Sequence, residues 1–342
     1  IEGDTGKAEV SKADISALLK EVQKTEKNEE NAAIIINIAT AKETEKLDIE
    51  IPRSSFDGIA ERTALGIKIN HSMLSMVLDS ETIKTINNAN QSGDITISIA
   101  KVDTESLAED IKAKLADTNI PVFDFTISKG DQQISDFGGK VKISIPFTPK
   151  SGQNLNAIVV YFLSDDGALE QVQGQYNSET GRVDFTTDHF SKYLIAYNLI
   201  TFDDVSEKAW YKDAIAYVSA REIVVGKAEG IYAPEDILTW AEFTTLMVRQ
   251  FDLTSDDLGN YKDVEEGKWY TDYIKIAIEN SILSESYNEA FEPNIAITRE
   301  ELMYMLYKSL EVTNRLDDLS DNGDRLSDFI DSDRVSNYAR IA

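Results

Sequence analysis

The chain has no cysteine and only two histidines among its 342 residues. It therefore forms no disulfide bond and offers no thiolate ligand to a metal, which is compatible with export. No run approaches 18 apolar residues, so we expect no transmembrane helix. Basic residues are few, with 34 Lys and Arg against 61 Asp and Glu and a net charge of −27. This balance argues against nucleic acid and anionic membranes as partners, because both favour Lys and Arg.

Signatures of catalysis are also missing. The sequence has no nucleophile-elbow pattern and no phosphate-binding loop. His71 and His189 are far apart in sequence, and we interpret His189, which follows Asp188, as a structural histidine at a strand edge. Carboxylates are too abundant to nominate a glycosidase pair. We therefore expect the protein not to be an enzyme.

The first 120 residues mix predicted strands with short helices. Apolar residues at helical spacing predict a helix from Ser11, and alternation predicts strands over 32–40, 46–52 and 94–102. Further helices are predicted over 56–62, 80–91 and 107–117. This order is typical of an α+β module.

Residues 121–200 contain only strand patterns. Six alternating segments are separated by turns such as Asp166-Gly167 and Thr180-Gly181, and such an arrangement predicts an antiparallel β-sandwich. The segments FGGKVKISIPF, from Phe137, and HFSKY, from His189, resemble the β-rich modules that precede repeats in bacterial surface proteins.

From Thr201 onward the chain repeats itself with a period of 59 residues. The entry FDDV, which contains Asp204, is followed by a Trp-Tyr pair, an apolar helix, an aromatic-x-Pro turn and Thr-x-x-Glu, and the same order returns from Tyr261. A third copy begins near Leu326 and stops at Ala342. Because one helical hairpin cannot bury its apolar face alone, a fixed period of this kind indicates a repeat array. We expect the chain to be a fragment of a longer protein.

These motifs resemble the S-layer homology (SLH) family, whose unit has I-T-R-A-E at the start of its second helix. The second unit has ITREEL with Arg299, whereas the first has LTWAEF with Trp240 in place of the arginine. The resemblance implies a pseudo-threefold helical bundle with a truncated third repeat. It also implies binding to secondary cell-wall polysaccharide, often bearing pyruvate ketals, in grooves between units. The substitution at Trp240 implies unequal grooves.

Arg299 is the first candidate binding residue implied by the family. A guanidinium beside a helix N-terminus is a good receptor for a carboxylate. The alternative is a surface ion pair with Asp263 or Asp272. Thr298 belongs to the same motif and, with Glu301, also forms the pattern of a capping box.

The other candidates each have two interpretations. Asp204, Asp263 and Asp328 occupy the family's aspartate position and either accept hydrogen bonds from sugar hydroxyls or cap the following helix. Trp210 and Trp269 either offer a face to a pyranose or form the core.

No cofactor is expected. The acidic loop from Asp318 begins like a calcium loop, but its twelfth position is Phe329 instead of Glu, so unspecific calcium binding and a solvated acidic linker are both left open.

We therefore predict a multidomain α+β protein with five segments: an α+β module (1–120), a β-sandwich module (121–200), SLH repeats 1 (201–258) and 2 (259–322), and a partial repeat 3 (323–342). The predicted function is non-covalent anchoring of a secreted protein at the cell wall, in an S-layer. The alternative is a lattice protein that self-associates through its N-terminal region while the repeats only pack.

Overall fold

The computed structural model describes residues 5–22, 33–40, 44–61, 66–88, 92–109, 111–112, 122–164, 166–256, 258, 264–283, 292–316, 325–328 and 330–342. The chain divides into two compact units. The first unit contains residues 1–200 and 213–221, and the second contains residues 201–212 and 222–342.

The described part of the first unit has fourteen strands and three helices whose two ends are both described. It also contains residues 213–220 of a fourth helix at 212–220. The strands are β1 (Thr5–Glu9), β2 (Ala33–Asn37), β3 (Lys46–Ile51), β4 (Gly66–Asn70), β5 (Ser75–Leu78), β6 (Ile95–Val102), β7 (Val122–Lys129), β8 (Gln132–Ile134), β9 (Asp136–Pro146), β10 (Ile158–Leu163), β11 (Leu169–Val172), β12 (Gly174–Asn177), β13 (Arg182–His189) and β14 (Lys192–Tyr197). The helices are α1 (Lys12–Val22), α2 (Arg53–Glu61), α3 (Ser80–Asn88) and α4 (Lys212–Ala220), with 3-10 turns at Thr104–Ser106 and Leu155–Ala157.

The strands form two sheets, and each sheet takes strands from both sides of residue 120. One sheet has the order β1-β3-β6-β7-β14-β10-β11, with β8 beside β7, and the other has the order β12-β13-β9-β5-β4-β2. Strand β7 pairs with β6 and β14, and β9 pairs with β5 and β13. The boundary predicted at residue 120 is therefore wrong, because it divides both sheets. Residues 1–200 are one mixed α+β unit.

Alternating side chains of both sheets meet in one hydrophobic core. Ile95, Ile97 and Ile99 of β6 are fully buried, as the alternation predicted. The same core contains buried residues of the three helices, such as Phe56 of α2 and Ile86 of α3. Of the helix predicted over 107–117, residues 107–109 and 111–112 are described. Residues 109 and 111–112 are helical, 107 and 108 are not, and the rest lies outside the described residues.

The two segments that resemble β-rich surface modules meet in this core. Phe137 is fully buried and contacts Phe190 edge to face, with ring centroids 4.8 Å apart. The backbone of Gly139 lies against the start of α3, where an added Cβ would be 2.3 Å from the amide nitrogen of Thr82. The glycine therefore permits a close approach of strand and helix that no side chain would allow.

Helix α4, which begins the first repeat in sequence, packs within the first unit. Ala220 belongs to a second apolar cluster with Val159 and Leu194 of the eight-stranded sheet and Ala157 of the 3-10 turn before β10. Arg221 donates hydrogen bonds to four backbone carbonyls, those of Asn156, Ile158, Gly174 and Tyr217. Its guanidinium also lies 3.6 Å from the ring centroid of Tyr217. The predicted segment 201–258 is thus shared between the two units.

The second unit is helical in its described part. Its helices are α5 (Trp240–Gln250), α6 (Thr271–Glu279) and α7 (Arg299–Val312), followed by 3-10 turns at Leu326–Asp328, Ser332–Arg334 and Asn337–Ile341. Their apolar faces share one core that includes Phe243, Met247, Ile274 and Met305. Nowhere in the described residues is a helix long and apolar enough to cross a membrane.

Candidate functional site

The entry aspartate of the first repeat holds a turn. The Asp204 carboxylate accepts hydrogen bonds from the amides of Tyr232, at 2.9 Å, and Ala233, at 2.6 Å. These bonds, led by the one from Tyr232, lower the pKa of Asp204. Ala233 has a positive φ of 61°, a conformation that costs free energy for a residue with a Cβ. Asp204 therefore fixes the aromatic-x-Pro turn, which is neither of the two roles considered from sequence.

The two tryptophans of the Trp-Tyr pairs lie at the surface. Trp210 is 91% exposed and Trp269 is 59% exposed, which excludes the alternative that they form the core. Each ring contacts the following tyrosine edge to face, at centroid distances of 5.5 Å for Tyr211 and 5.3 Å for Tyr270. Tyr270 is buried, so in the second repeat it is the tyrosine that packs inside and the tryptophan that faces solvent.

Both Thr-x-x-Glu motifs form capping boxes. The Glu242 amide donates to Thr239 Oγ1 at 3.3 Å, and the Thr239 amide donates to a Glu242 carboxylate oxygen at 2.9 Å. Thr298 and Glu301 make the same reciprocal bonds, at 3.4 and 2.7 Å. The structural interpretation of the motif is confirmed, since the threonines satisfy amides that a helix start leaves free.

The start of α5 is covered by the turn of the second repeat. The amide of Trp240 donates to Ile295 O at 3.1 Å, and that of Ala241 donates to Pro293 O at 3.0 Å. The Ile297 amide in turn donates to Leu238 O at 3.1 Å. Trp240 is only 5% exposed and lies in the core. The donors at this helix start are therefore already occupied by backbone carbonyls.

The start of α7 differs from that of α5. Arg299 is its first residue and is exposed. Within the described part of the second unit, Arg299 has no ion pair, and Asp272 is not its partner; Asp263 lies outside the described residues. No hydrogen bond or ring contact among the described residues joins Arg299 to Trp210, Trp269 or the other candidates.

Glu300 is a functional residue that the sequence analysis missed. It follows Arg299 and takes the place of Ala241, its equivalent in the first repeat. Its carboxylate accepts bonds from the Ser336 amide at 3.0 Å, the Ser336 hydroxyl at 2.8 Å and the Tyr338 hydroxyl at 3.3 Å. These bonds, led by the Ser336 amide, lower the pKa of Glu300. Glu300 thus holds the start of the third copy against α7.

Asp328, the third entry aspartate, makes only a local contact. Its carboxylate accepts a hydrogen bond from the Arg325 amide at 3.1 Å, which caps the short turn Leu326–Asp328. Arg325 precedes Asp328, so this contact is not the capping of a following helix that the sequence suggested. Because the bond lies within three residues, it does not fix a distant turn as Asp204 does.

The remaining candidates for chemistry are structural or lie outside the described residues. His189 Nδ1 is 2.9 Å from the Asp188 carboxylate, and its Nε2 is 3.3 Å from the hydroxyl of Tyr193, whose pKa burial raises to about 12. Tyr193 also donates to His189 O at 2.9 Å, so the group closes a strand end. The described residues contain no cluster of three or more metal-binding side chains. Of the acidic loop from Asp318, residues 318–324 and 329 lie outside them.

Comparison with protein families identifies the repeats. The model of the S-layer homology domain matches residues 201–244 and 260–303. The chain carries two S-layer homology domains. The SLH matches include the exposed tryptophans, both capping boxes and Arg299, and the match to the first repeat extends through α4.

Similar proteins share this region. The chain is 28% identical over 216 residues to an amylopullulanase of Thermoanaerobacterium thermosulfurigenes, covering 61% of this chain and 11% of that protein. It is 36% identical over 104 residues to endo-1,4-beta-xylanase A of Thermoanaerobacterium saccharolyticum, covering 30% and 9%. It is 29% identical over 118 residues to a cellulosome-anchoring protein of Acetivibrio thermocellus, covering 33% and 26%.

The extent of these matches limits what they imply. The matched segments cover only about a tenth of the length of the amylopullulanase and the xylanase, so the activities in their names are said of those proteins alone. The match to the amylopullulanase covers 61% of this chain, which is more than residues 201–342 make up. It therefore includes part of the first 200 residues.

Proposed function

We propose that the second unit anchors the protein non-covalently to the bacterial cell wall, at the cell surface, by binding secondary cell-wall polysaccharide through its SLH repeats. The family match to both repeats carries this proposal. It is supported by relatives that are named as a cellulosome-anchoring protein and as the S-layer protein sap of Bacillus anthracis.

Arg299 is the proposed recognition residue for an acidic group of the polymer. A guanidinium binds a carboxylate with two parallel hydrogen bonds, and an adjacent helix start favours negative charge. Arg299 is exposed at the first position of α7 and has no described ion pair to break before binding. The net charge of −27 gives no long-range attraction to an anionic polymer, so recognition depends on local donors of this kind.

The exposed tryptophans are the proposed contacts for sugar rings. Trp210 and Trp269 hold large apolar faces in water, an arrangement that costs free energy unless a ligand covers them. Thr298 positions the start of α7, and Asp204 positions the turn of the first repeat; Asp263 and Asp328 remain proposed contacts.

The two repeats differ in the proposed binding capacity. Trp240 takes the arginine position in the first repeat and is buried, and the amides beside it are bound to Ile295 and Pro293. The second repeat retains Arg299 in an open position. We place the principal polysaccharide site at α7, within a pseudo-threefold arrangement that a third repeat would complete.

Cosedimentation tests this proposal. The full chain is mixed with purified Gram-positive sacculi before and after the secondary polymer is stripped. We expect binding only to unstripped walls. Arg299→Ala should weaken binding about tenfold or more, the amount expected from losing a charge-assisted bidentate contact. The melting temperature should stay nearly unchanged, because Arg299 is exposed.

Arg334→Ala is the matched control, since Arg334 is an exposed arginine of the same unit. It removes the same charge and should leave binding intact. Equal binding to stripped and unstripped walls, or equal effects of the two substitutions, would contradict the proposal. Self-association in a surface layer, the other expected partner interaction, is measured on the same samples by light scattering with and without calcium.

A further inference from the structure

The outward face of the six-stranded sheet carries one continuous row of polar side chains. Because the buried residues of these strands alternate with exposed ones, the register places one outward residue of every strand in the same row. From β2 to β12 the row is Asn37, Asn70, Ser75, Ser144, Asp184 and Gln175. With neighbouring strands about 4.8 Å apart, the row is about 24 Å long.

The row is held in place by its own hydrogen bonds. Asn70 Nδ2 donates to Asn37 Oδ1 at 2.9 Å, and the Ser75 hydroxyl donates to Asn70 Oδ1 at 2.8 Å. The Ser144 hydroxyl donates to the Asp184 carboxylate and accepts a bond of 2.8 Å from Arg182 Nε. Short, preorganised amides and hydroxyls of this kind suit a ligand that is itself rich in hydroxyl groups.

Lysines border the row. One step along the strands, the next outward row contains Lys142 on β9 and Lys68 on β4, separated by Val77 of β5. Their Cα atoms are therefore about 10 Å apart. Lys140 is a further outward residue of β9 and is exposed. In the described part of the first unit, none of these three lysines has a carboxylate within ion-pair distance.

Part of the lysine charge on the other sheet is neutralised by carboxylates. On the eight-stranded sheet Lys46 pairs with Asp48 and Lys101 with Glu45, each at 3.1 Å. The six-stranded face thus presents unpaired cations in a protein of net charge −27. Remote charges are screened beyond about 8 Å at physiological ionic strength, so the nearby charges decide what this surface attracts. The Asp184 carboxylate is offset by Arg182 beside it, which leaves the lysines as the excess charge.

We propose that this face, defined by the polar row and Lys68, Lys140 and Lys142, binds a linear anionic polysaccharide. Cations attract its acidic groups while the polar row bonds to its hydroxyls. A second protein copy fits less well, because the centre of a protein interface is apolar and rich in aromatic residues. Here the bordering row offers only Val77 and Ile35 as apolar side chains. The site lies wholly in the first unit and is independent of the SLH repeats.

Calorimetric titration of the full chain with polygalacturonate, a linear uronate polymer, tests the proposal, with neutral dextran as the comparison. We expect binding to polygalacturonate only, with weaker affinity when NaCl is raised from about 50 to 300 mM. Lys68→Gln with Lys142→Gln should weaken it about tenfold or more. Lys46→Gln with Lys101→Gln removes the same charge from the other sheet and should change affinity less than about twofold.

The outcomes separate this site from the proposed wall anchor. Because Arg299 is itself proposed to bind acidic groups, the titration is repeated in the Arg299→Ala background, where Lys68→Gln with Lys142→Gln should weaken polygalacturonate binding by the same factor. Equal loss in the two lysine pairs, or equal binding of dextran, would overturn the proposal. A Lys68 and Lys142 variant that keeps polymer affinity but loses self-association in sedimentation velocity would assign the face to a second copy instead.

Discussion

Replacing Arg221 by alanine should destabilise the first unit and leave the second nearly unaffected. The guanidinium donates to four carbonyl oxygens at 2.7 to 3.1 Å and stacks on Tyr217. Burial lowers the pKa of Arg221, but its ordinary value is high enough that it stays charged. Two of the carbonyl partners, Ile158 and Gly174, lie on strands of different sheets.

The size of the effect follows from these bonds. A hydrogen bond from a charged donor contributes about 1.5–3 kcal/mol, but four bonds to one group are not additive and the freed carbonyls regain water. We expect a loss of about 3 kcal/mol, which is about 6–12 °C in melting temperature for a domain of this size. Arg221→Lys keeps the charge without the planar fork and should recover only part of it.

The three tryptophans make the measurement specific. Trp210, Trp240 and Trp269 are the only ones in the chain, and all lie in the second unit. Tryptophan fluorescence therefore follows that unit, while calorimetry follows both. Arg221→Ala should lower a calorimetric transition that has no fluorescence counterpart. Arg249→Ala, which removes bonds to Tyr273 and Ile223 in the second unit, should lower a transition that both fluorescence and calorimetry detect. A fall in the fluorescence transition with Arg221→Ala would refute the assignment of α4 to the first unit.

Three further results are expected. The hydrogen bonds to the Asp204 carboxylate lower its pKa in the folded state, so they stabilise the protein above the pKa of the unfolded state. This stabilisation is lost as the pH falls through the lower pKa of the folded state. Asp204→Asn should therefore make the free energy of unfolding, measured in urea by tryptophan fluorescence, less dependent on pH in acid. Thr298→Ala should lower the stability of the second unit by about 1 kcal/mol in the same assay. Gly139→Ala should lower the stability of the first unit, measured by calorimetry, by about 2 kcal/mol or more, because the new Cβ would clash with Thr82. Gly152→Ala is the control: no atom lies within 4 Å of its Cβ position, so the substitution should lower the stability by only about 1 kcal/mol, through the positive φ alone.

Local patterns predicted local structure well. Alternation placed the strands that became β3 and β6, and helical spacing placed α1. The Thr-x-x-Glu pattern predicted both capping boxes, because such bonds join residues only three positions apart. These predictions needed no knowledge of which segments meet.

The domain boundary at residue 120 failed for the opposite reason. A change from mixed elements to strands alone looks like a new module in sequence, yet β7 and β9 pair with strands that precede the boundary. Pairing between distant strands depends on register, which composition does not record. The polar row across six strands was invisible for the same reason, because its members come from six separate segments.

The candidate site was predicted by residue and not by role. The motif identified Asp204, but its carboxylate accepts hydrogen bonds from the amides of Tyr232 and Ala233, which are 28 and 29 residues away. The Trp-Tyr pair left burial and sugar contact both open, and the structure exposes Trp210 and Trp269. Burial of an aromatic residue depends on which neighbours cover it, and within one repeat the sequence does not specify them.

The contrast between the two repeats explains why one motif supports two roles. In the first repeat, the turn of the second lies on the start of α5, so the position of the family's arginine faces protein and Trp240 fills it. In the second repeat, the same position holds Arg299 and faces solvent. A buried arginine there would require a partner to offset the loss of its hydration, whereas a buried tryptophan gains by leaving water. The substitution at Trp240 is therefore consistent with a repeat that contributes packing, and the arginine at 299 with one that keeps a surface for a ligand.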